Sequence, residues 1–516
     1  MNWEGLGALL SKDLAKNIKA FREKTCDSYD VKLRELRVQF GGKLYDACVF
    51  FLDGLVDTQA INDSVIKPLL QASDRKIDNK DLLDFVHRSV IRNLDVNRQD
   101  SFEQMLDSVY CGDSVLLIDG FIEALVLDTK RWEHRGVESA TTEQVISGAK
   151  DSFCETLKIN SMLIRRRIKS NSLKMEYLKL GRLTKTDTLI CYIDGVVNPK
   201  LLDEVRARIS RIDTDNMSSL TLLEEFIEDS SFSLLPQVIK TERPDKSSAH
   251  LLEGGVVVAI DGTPAVLLLP VVFWQFIYSP EDYNERIYTS FLLRTLRLVA
   301  LLLALMVPGL YVAVTSFHHE MIPVGLLGVI IEGRQGVPFP ILLEVLIMEL
   351  ILEIIREAGV RLPINVGQAI SIVGALVLGQ AAIMARLASP ATVTIVALAA
   401  VANFTLPNFS AGLAIRNFRF VFFIVSGFFG LLGFICVFFI TLTHFCSLRS
   451  FGVPFMTPIS PLSLADLKDS QIRMPAWALS KRPSFLRPRN LDRQKQDLKP
   501  GVNKGESNTN RREYNA

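Results

Sequence analysis

Residues 332–363 read EGRQGVPFPILLEVLIMELILEIIREAGVRLP and continue at 364–407 as INVGQAISIVGALVLGQAAIMARLASPATVTIVALAAVANFTLP. Most of this stretch is apolar enough for a bilayer, yet one apolar segment carries Glu344, Glu349, Glu353 and Glu357. A carboxylate at membrane depth is costly, so it marks an ion path, a partner, or a burial arrangement that needs it. At about 100° per residue, Glu349, Glu353, Arg356 and Glu357 share an arc of about 100°, with Glu344 nearly opposite Glu353. Two readings stay open. In one, a symmetric oligomer turns the acids toward its axis, where a ring of carboxylates forms a cation-selective mouth. In the other, Glu353 and Glu357 pair with Arg356 and Arg361 and anchor the helix at the headgroups. Asn403, near the end of the stretch, is a further candidate beside a pore or gate.

The flanks fit a membrane domain. Leu298–Phe317 is a run of twenty uncharged residues, about the length a spanning helix needs. Pro308-Gly309 within it predicts a kink. Residues 321–331, MIPVGLLGVII, are too short to cross and read as re-entrant or interfacial. Val366–Ala385 is a second span, with Gly367, Gly374 and Gly379 offering a small-residue face for helix packing. Ala391–Leu406 is short, and Phe420–Phe445 reads as one long lipid-facing span. The expectation is four full spans, or six if residues 321–355 cross twice. Arg286, Arg294 and Arg297 precede the first span. From Arg473 to Arg512, eleven Lys/Arg face three acids. Both ends are therefore expected in the cytoplasm.

Upstream, a short apolar run ending in Asp-Gly recurs four times, at Asp53, Asp119, Asp194 and Asp261. Asp53 to Asp119 is 66 residues and Asp194 to Asp261 is 67, while the two longer intervals are 141 and 142. Nested spacings that agree this closely predict two copies of one small α/β subdomain. Asp53 and Asp194 precede helical patterns. Asp119 and Asp261 sit between paired apolar runs, as hairpin turns do. The aspartates are read as turn residues rather than as a metal or phosphoryl site. The Arg165–Arg167 run is read as a solvated helix face, with anionic headgroups as the alternative.

Composition excludes several classes. The seven cysteines are scattered without a CxxC pair, which argues against a disulfide scaffold or zinc site and fits a reducing compartment. The N-terminus carries no signal-peptide pattern, so the soluble part is expected to stay inside. No phosphate loop, dinucleotide fingerprint, zincin motif or nucleophile elbow occurs. His318 and His319 abut Glu320 at the end of a span and read as a loop. No enzyme, cofactor, metal or nucleic-acid partner is expected.

The block beginning at Glu332, the GQAISIVGALVLGQAAI and SPATVTIVALAAVANFTLPN blocks, and FGVPFMTPISP and RMPAWALSKRPSFLRPRN after the last span together resemble the A subunits of GerA-type spore germinant receptors. The blocks containing the four Asp-Gly sites are similar to the family's paired N-terminal subdomains. The likeness covers roughly residues 40–495, departing at Ile364-Asn365-Val366. It implies an α/β soluble part of two duplicated subdomains plus an α-helical membrane domain of four to six helices. The chain is accordingly divided into a helical or flexible lead-in (1–43), subdomain 1 (44–150), a basic helical linker (151–184), subdomain 2 (185–285), the membrane domain (286–447) and a basic cytoplasmic tail with a disordered end (448–516). The resemblance further implies the spore inner membrane, a transporter-like nutrient-binding B subunit and a lipoprotein C subunit. It also implies a homo-oligomeric ring, pentameric in this expectation, that opens as a nutrient-gated cation channel. The alternative is a non-conducting scaffold that couples the B subunit to downstream machinery.

Overall fold

The computed structural model describes residues 10–500, apart from 26–27, 41, 73–81, 93–94, 130–142, 144, 146, 362–376 and 496–497. The first unit starts with helix α1 (Leu14–Thr25), followed by β1 (Val31–Phe40) and β2 (Lys43–Leu52). After helical turns between Thr58 and Val90 come β3 (Val96–Gln99), helix α2 (Phe102–Tyr110), β4 (Ser114–Ile118) and β5 (Ala124–Leu127). The sheet order is β1-β2-β4-β5-β3, antiparallel throughout.

The second unit follows the same plan. Helix α3 (Leu157–Arg167) leads to β6 (Leu173–Leu180), β7 (Thr186–Ile193), helices α4 (Pro199–Ser210) and α5 (Leu220–Ile227), and β8 (Ile239–Thr241). Helix α6 (Pro244–Glu253), β9 (Val256–Ile260) and β10 (Val266–Leu269) complete it. The order is β6-β7-β9-β10-β8, again antiparallel. The central strands β4, β5, β9 and β10 are buried on both faces, which is why they read as unbroken apolar runs. In β9, Val257 and Ala259 join the core shared with the first unit and the membrane half. Val256, Val258 and Ile260 point to the α4–α5 side instead.

The four Asp-Gly sites are turns, and Gly54, Gly120, Gly195 and Gly262 all take positive φ there. Asp119 and Asp261 do more than turn. The Asp119 carboxylate accepts from Leu14 N at 3.0 Å, and Asp261 accepts from Leu157 N at 2.9 Å, so each caps its unit's leading helix. Buried Asn17 closes the loop before α1 by bonding Ser11 N and O. Asn160 does the same to Cys154 before α3.

Several expectations need correction. Residues 31–40, assigned to the helical or flexible lead-in, are a strand, because ten cross-strand pairs with β2 outweigh local preference. The basic linker is helical only to Arg167, and its second half is β6. Arg165 is neither solvated nor at a lipid surface. It is 1% exposed, 2.7 Å from Asp30, and its guanidinium lies over Tyr110. That ion pair, with the stacked rings of Tyr29 and Tyr177, joins the two units. Arg167 pairs with Asp151 at 2.5 Å.

The membrane half contains α7 (Ile287–Phe317), α8 (Val324–Gly333), α9 (Ile341–Arg361), helical residues 377–384, α10 (Pro390–Phe404) and α11 (Phe409–Ser447). Among the described residues, α7 is long and apolar enough to cross a membrane, and so is α11 by its total length, although it folds back at Gly430. Pro308 sits inside one continuous helix. Its neighbour Gly309 lets α11 come close, since a Cβ there would lie 3.1 Å from the Phe422 backbone.

The expected single span at 420–445 is instead a helical hairpin. Gly430 has φ 61° and ψ −143°, outside helical space. Phe418 lies 5.5 Å from Phe445, and Phe422 5.5 Å from Phe434. A straight helix would hold Phe418 and Phe445 about 40 Å apart. The hairpin also narrows the lipid-facing reading, because Phe422 and Phe423 are fully buried while Phe428, Phe429, Phe439 and Ile440 stay exposed. Its tip meets Phe317 and His318, the far end of α7.

The tail to residue 495 is ordered rather than loose. The β11 (Arg449–Ser450) and β12 (Val453–Pro454) hairpin packs on the second unit, and Phe451 enters its core. Arg482 donates to Leu252 O at 2.8 Å, and Arg489 N to Val196 O at 2.9 Å. Residues 501–516, expected to be disordered, lie outside the described residues.

Two outcomes test this packing. Asp30→Ala strands the buried Arg165 charge and should cost about 3–5 kcal/mol, read as a lower unfolding midpoint of the purified chain. Burial lowers the His250 imidazole to about 4, so its folded pKa lies below its unfolded one. Its contribution is complete above the unfolded value near 6.5 and is lost as pH falls toward 4. Burial raises Glu228 and Glu253 to about 7, which acts oppositely, so the comparison must be differential. His250→Gln should remove the acid-side loss of up to about 3 kcal/mol expected of the parent.

Candidate functional site

The acidic helix α9 lies against α7, α10 and the first arm of α11. Glu344, Glu349 and Glu353 each meet an arginine across or beside these contacts. Glu344 is fully buried. One oxygen lies 3.2 Å from Arg334 Nε. The other accepts from Ser389 N and Thr392 Oγ1, both at 3.0 Å. Thr392 also bonds the Tyr311 hydroxyl of α7 at 3.1 Å. Glu344 therefore holds the N-terminus of α10 against α7 and α9, where a carboxylate also complements the helix dipole.

Glu349 lies 3.0 Å from Arg419, and both side chains are 1% exposed. Arg419 is about midway along the first arm of α11, between Phe409 and the turn at Gly430. Glu349 Oε1, Arg419 Nε and Arg419 Nη1 are buried without a hydrogen-bond partner among the described residues. One helical turn along, Arg416 bonds Glu353, which also meets Arg356 at 3.1 Å. Four-residue spacing on α9 thus meets three-residue spacing on α11, giving two stacked ion pairs across one helix contact. Glu357 is exposed at the same end. Half-buried Asn403 lies on the last turn of α10, near Gly412 of α11.

The structure thus gathers Glu344, Glu349 and Glu353 at helix contacts, while Glu357 is exposed. Of the predicted packing glycines, Gly367 and Gly374 lie outside the described residues. A Cβ on Gly379 would make only an ordinary 3.9 Å contact with Val393. Tighter approaches include Gly309 and Gly427, where a Cβ would lie 2.6 Å from Leu342. Arg416 and Arg419 escaped the sequence reading because the last span was started at Phe420. Matching arginine spacing to the acidic helix would have found them.

A second charged centre sits at the foot of α7. Asp282 is fully buried and lies 2.8 Å from Arg297 and 3.3 Å from Arg294. Arg294 also reaches Asp469 at 3.2 Å and the Ser470 carbonyl at 2.8 Å, and its guanidinium lies 4.3 Å from the Tyr278 ring. Arg473 donates to the carbonyls of Asp282 and Glu285 at 2.5 and 2.6 Å. Burial pushes the Asp469 carboxyl above its ordinary range, and the Arg294 charge opposes that shift. This centre ties α7, the second unit and the tail into one body. Among the described residues no cluster of His, Cys, Asp and Glu has the make-up of a metal site.

Arg419→Met leaves Glu349 buried without its cation and should lower the unfolding midpoint by an amount equivalent to about 3–5 kcal/mol. Glu349→Gln combined with Arg419→Met should recover a substantial part. A double-mutant cycle in detergent or nanodiscs reads the coupling directly, and it should exceed the ~0.6 kcal/mol typical of polar contacts between membrane helices.

The family model described as "GerA: Bacillus/Clostridium GerA spore germination protein" matches residues 19–485. Spore germination protein KA of Bacillus subtilis (strain 168) is 40% identical over 492 residues, spanning 95% of this chain and 90% of that protein. The uncharacterized membrane protein YfkQ of the same organism is 37% identical, spanning 92% of this chain and 91% of its own length. The crystal structure of the N-terminal domain of the A subunit of the Bacillus megaterium spore germinant receptor GerK3 is 30% identical, covering 52% of this chain and 98% of that one, with a TM-score of 0.42. With a match spanning nearly the whole length, the chain belongs to the GerA family of spore germination proteins.

Proposed function

We propose that this chain is the A subunit of a nutrient-responsive germinant receptor in the spore inner membrane. In this reading both termini lie on the cytoplasmic side, and the helices of the membrane half pack in a homo-oligomeric ring with B and C subunits. Nutrient bound on the B subunit favours an open state of the ring, through which cations leave the spore. The observation that carries the reading is the buried Glu349–Arg419 pair, about midway along the first arm of α11. Replacing such a pair with apolar residues often costs nothing in stability, so its retention suits an element with two arrangements rather than a passive core. The ring's conducting state then breaks or re-pairs the seam and exposes Glu349 and Glu353 to ions. Sequence and spacing also support an internal duplication. The leading helices, Asn17 and Asn160, and Asp119 and Asp261 repeat the same contacts at matching offsets.

One observation favours the scaffold alternative. Glu344 and Glu349 are turned into the chain's own helices, leaving Glu357 and part of Glu353 as the acids of α9 open to a ring axis. Potassium release from spores carrying Glu353→Gln separates the two. A conducting ring predicts release slowed roughly tenfold, about 1.4 kcal/mol in barrier, at unchanged protein level. A scaffold predicts unchanged release, and silence of the reconstituted A, B and C subunits in channel recordings with nutrient present.

A further inference from the structure

The loop between α5 and β8, residues 228–238, carries the most exposed large apolar side chain of the chain's described residues. Phe232 is 102% exposed, and Leu234 beside it is 45% exposed. A single exposed apolar residue needs no explanation. This one is held in place by an unusual amount of structure. Gln237, 1% exposed, accepts from Ser230 N at 3.0 Å and donates to Ser230 O at 2.8 Å, closing the loop's base. Its own backbone is fixed from both sides, as its N–H bonds Glu228 at 2.9 Å and its carbonyl accepts from Ser450 Oγ at 2.6 Å. Leu235 is buried in a group with Phe273, Leu301 of α7 and Ala411 and Ile415 of α11.

The loop's position then gives the exposed ring a partner. Ser233 Oγ lies 3.2 Å from His444 Nε2, on the last turns of α11's returning arm. On that arm Phe439, Ile440 and Leu442 are 59%, 68% and 41% exposed, and exposed Arg449 follows the helix end. Phe232 therefore stands beside the place where an apolar helix surface gives way to polar chain. In a membrane, that level is the headgroup boundary, where aromatic rings and basic residues anchor proteins.

We infer that Phe232 and Leu234 form a membrane-interface anchor, inserted among the lipid acyl chains beside α11, which fixes the second α/β unit against the bilayer. The inference rests on the membrane reading given above. It assigns a lipid-contact site to a part of the chain that sequence alone places wholly in the soluble half. The anchor sits on the unit whose end carries Asp282, held by Arg294 and Arg297 of α7, so rotation of that unit would have to carry Phe232 through the headgroup layer.

The test is photo-crosslinking of the full chain in native-like membranes, with p-benzoylphenylalanine placed singly at Phe232 or at Ile440. Both side chains are exposed, so neither change disturbs the core. The expected result is a phospholipid adduct, read as the mass added to the chain, at both positions. A lipid adduct at Ile440 with none at Phe232, or with a protein adduct at Phe232, overturns the anchor while leaving the membrane reading intact. Absence of lipid adducts at both positions overturns the membrane reading and the anchor together.

Discussion

The membrane half depends on a carboxylate and a guanidinium that are both removed from water. Glu349 and Arg419 face each other at 3.0 Å with almost no exposure. Either charge alone in that environment would cost several kcal/mol. Each is tolerable only while the helix carrying the other stays in register. The pair therefore fixes how α9 sits on α11, and Glu353 with Arg416 repeats the constraint a turn away. At the other end of α9, Glu344 fixes where α10 begins. Acids on three successive levels of one helix thus position its neighbours.

A charged seam is useful for signalling only if something outside the membrane can pull on it. The centre at Asp282 supplies that mechanical link. Arg294 and Arg297 rise from the foot of α7, Asp282 comes from the end of the second unit, and Asp469 and Arg473 come from the tail. The tail follows directly from α11 and wraps the same unit. The second unit is thereby joined to α7 and α11 together, and these two helices make the most extensive contact in the membrane half. The buried Arg165–Asp30 pair extends the same body to the first unit.

The parts that were legible in the sequence are those encoded by local chemistry. Asp-Gly requires a glycine at positive φ, and its spacing exposed the repeated plan before any strand was placed. The acidic helix was visible because four glutamates in an apolar run break a compositional rule. What was missed depends on contacts remote in sequence. Strand β1 is a strand because β2 pairs with it, and its own spacing suggested a helix. The hairpin in α11 was hidden because Gly430 interrupts a run whose hydropathy is continuous on both sides. Arg416 and Arg419 were overlooked because they lie just before that run. Their role exists only opposite Glu349 and Glu353. Even the turn aspartates hid a second role, since capping α1 and α3 needs partners more than a hundred residues away.

In the function proposed above, rearrangement of the Glu349–Arg419 seam couples nutrient to cation release. Charge reversal tests it most directly: Glu349→Arg and Arg419→Glu, singly and together, in spores whose chain level is verified in the membrane. The account predicts that each single reversal abolishes nutrient-triggered cation release, and that the double reversal restores a substantial part by re-forming the pair with opposite polarity. Normal release from either single variant at parental protein level would contradict it.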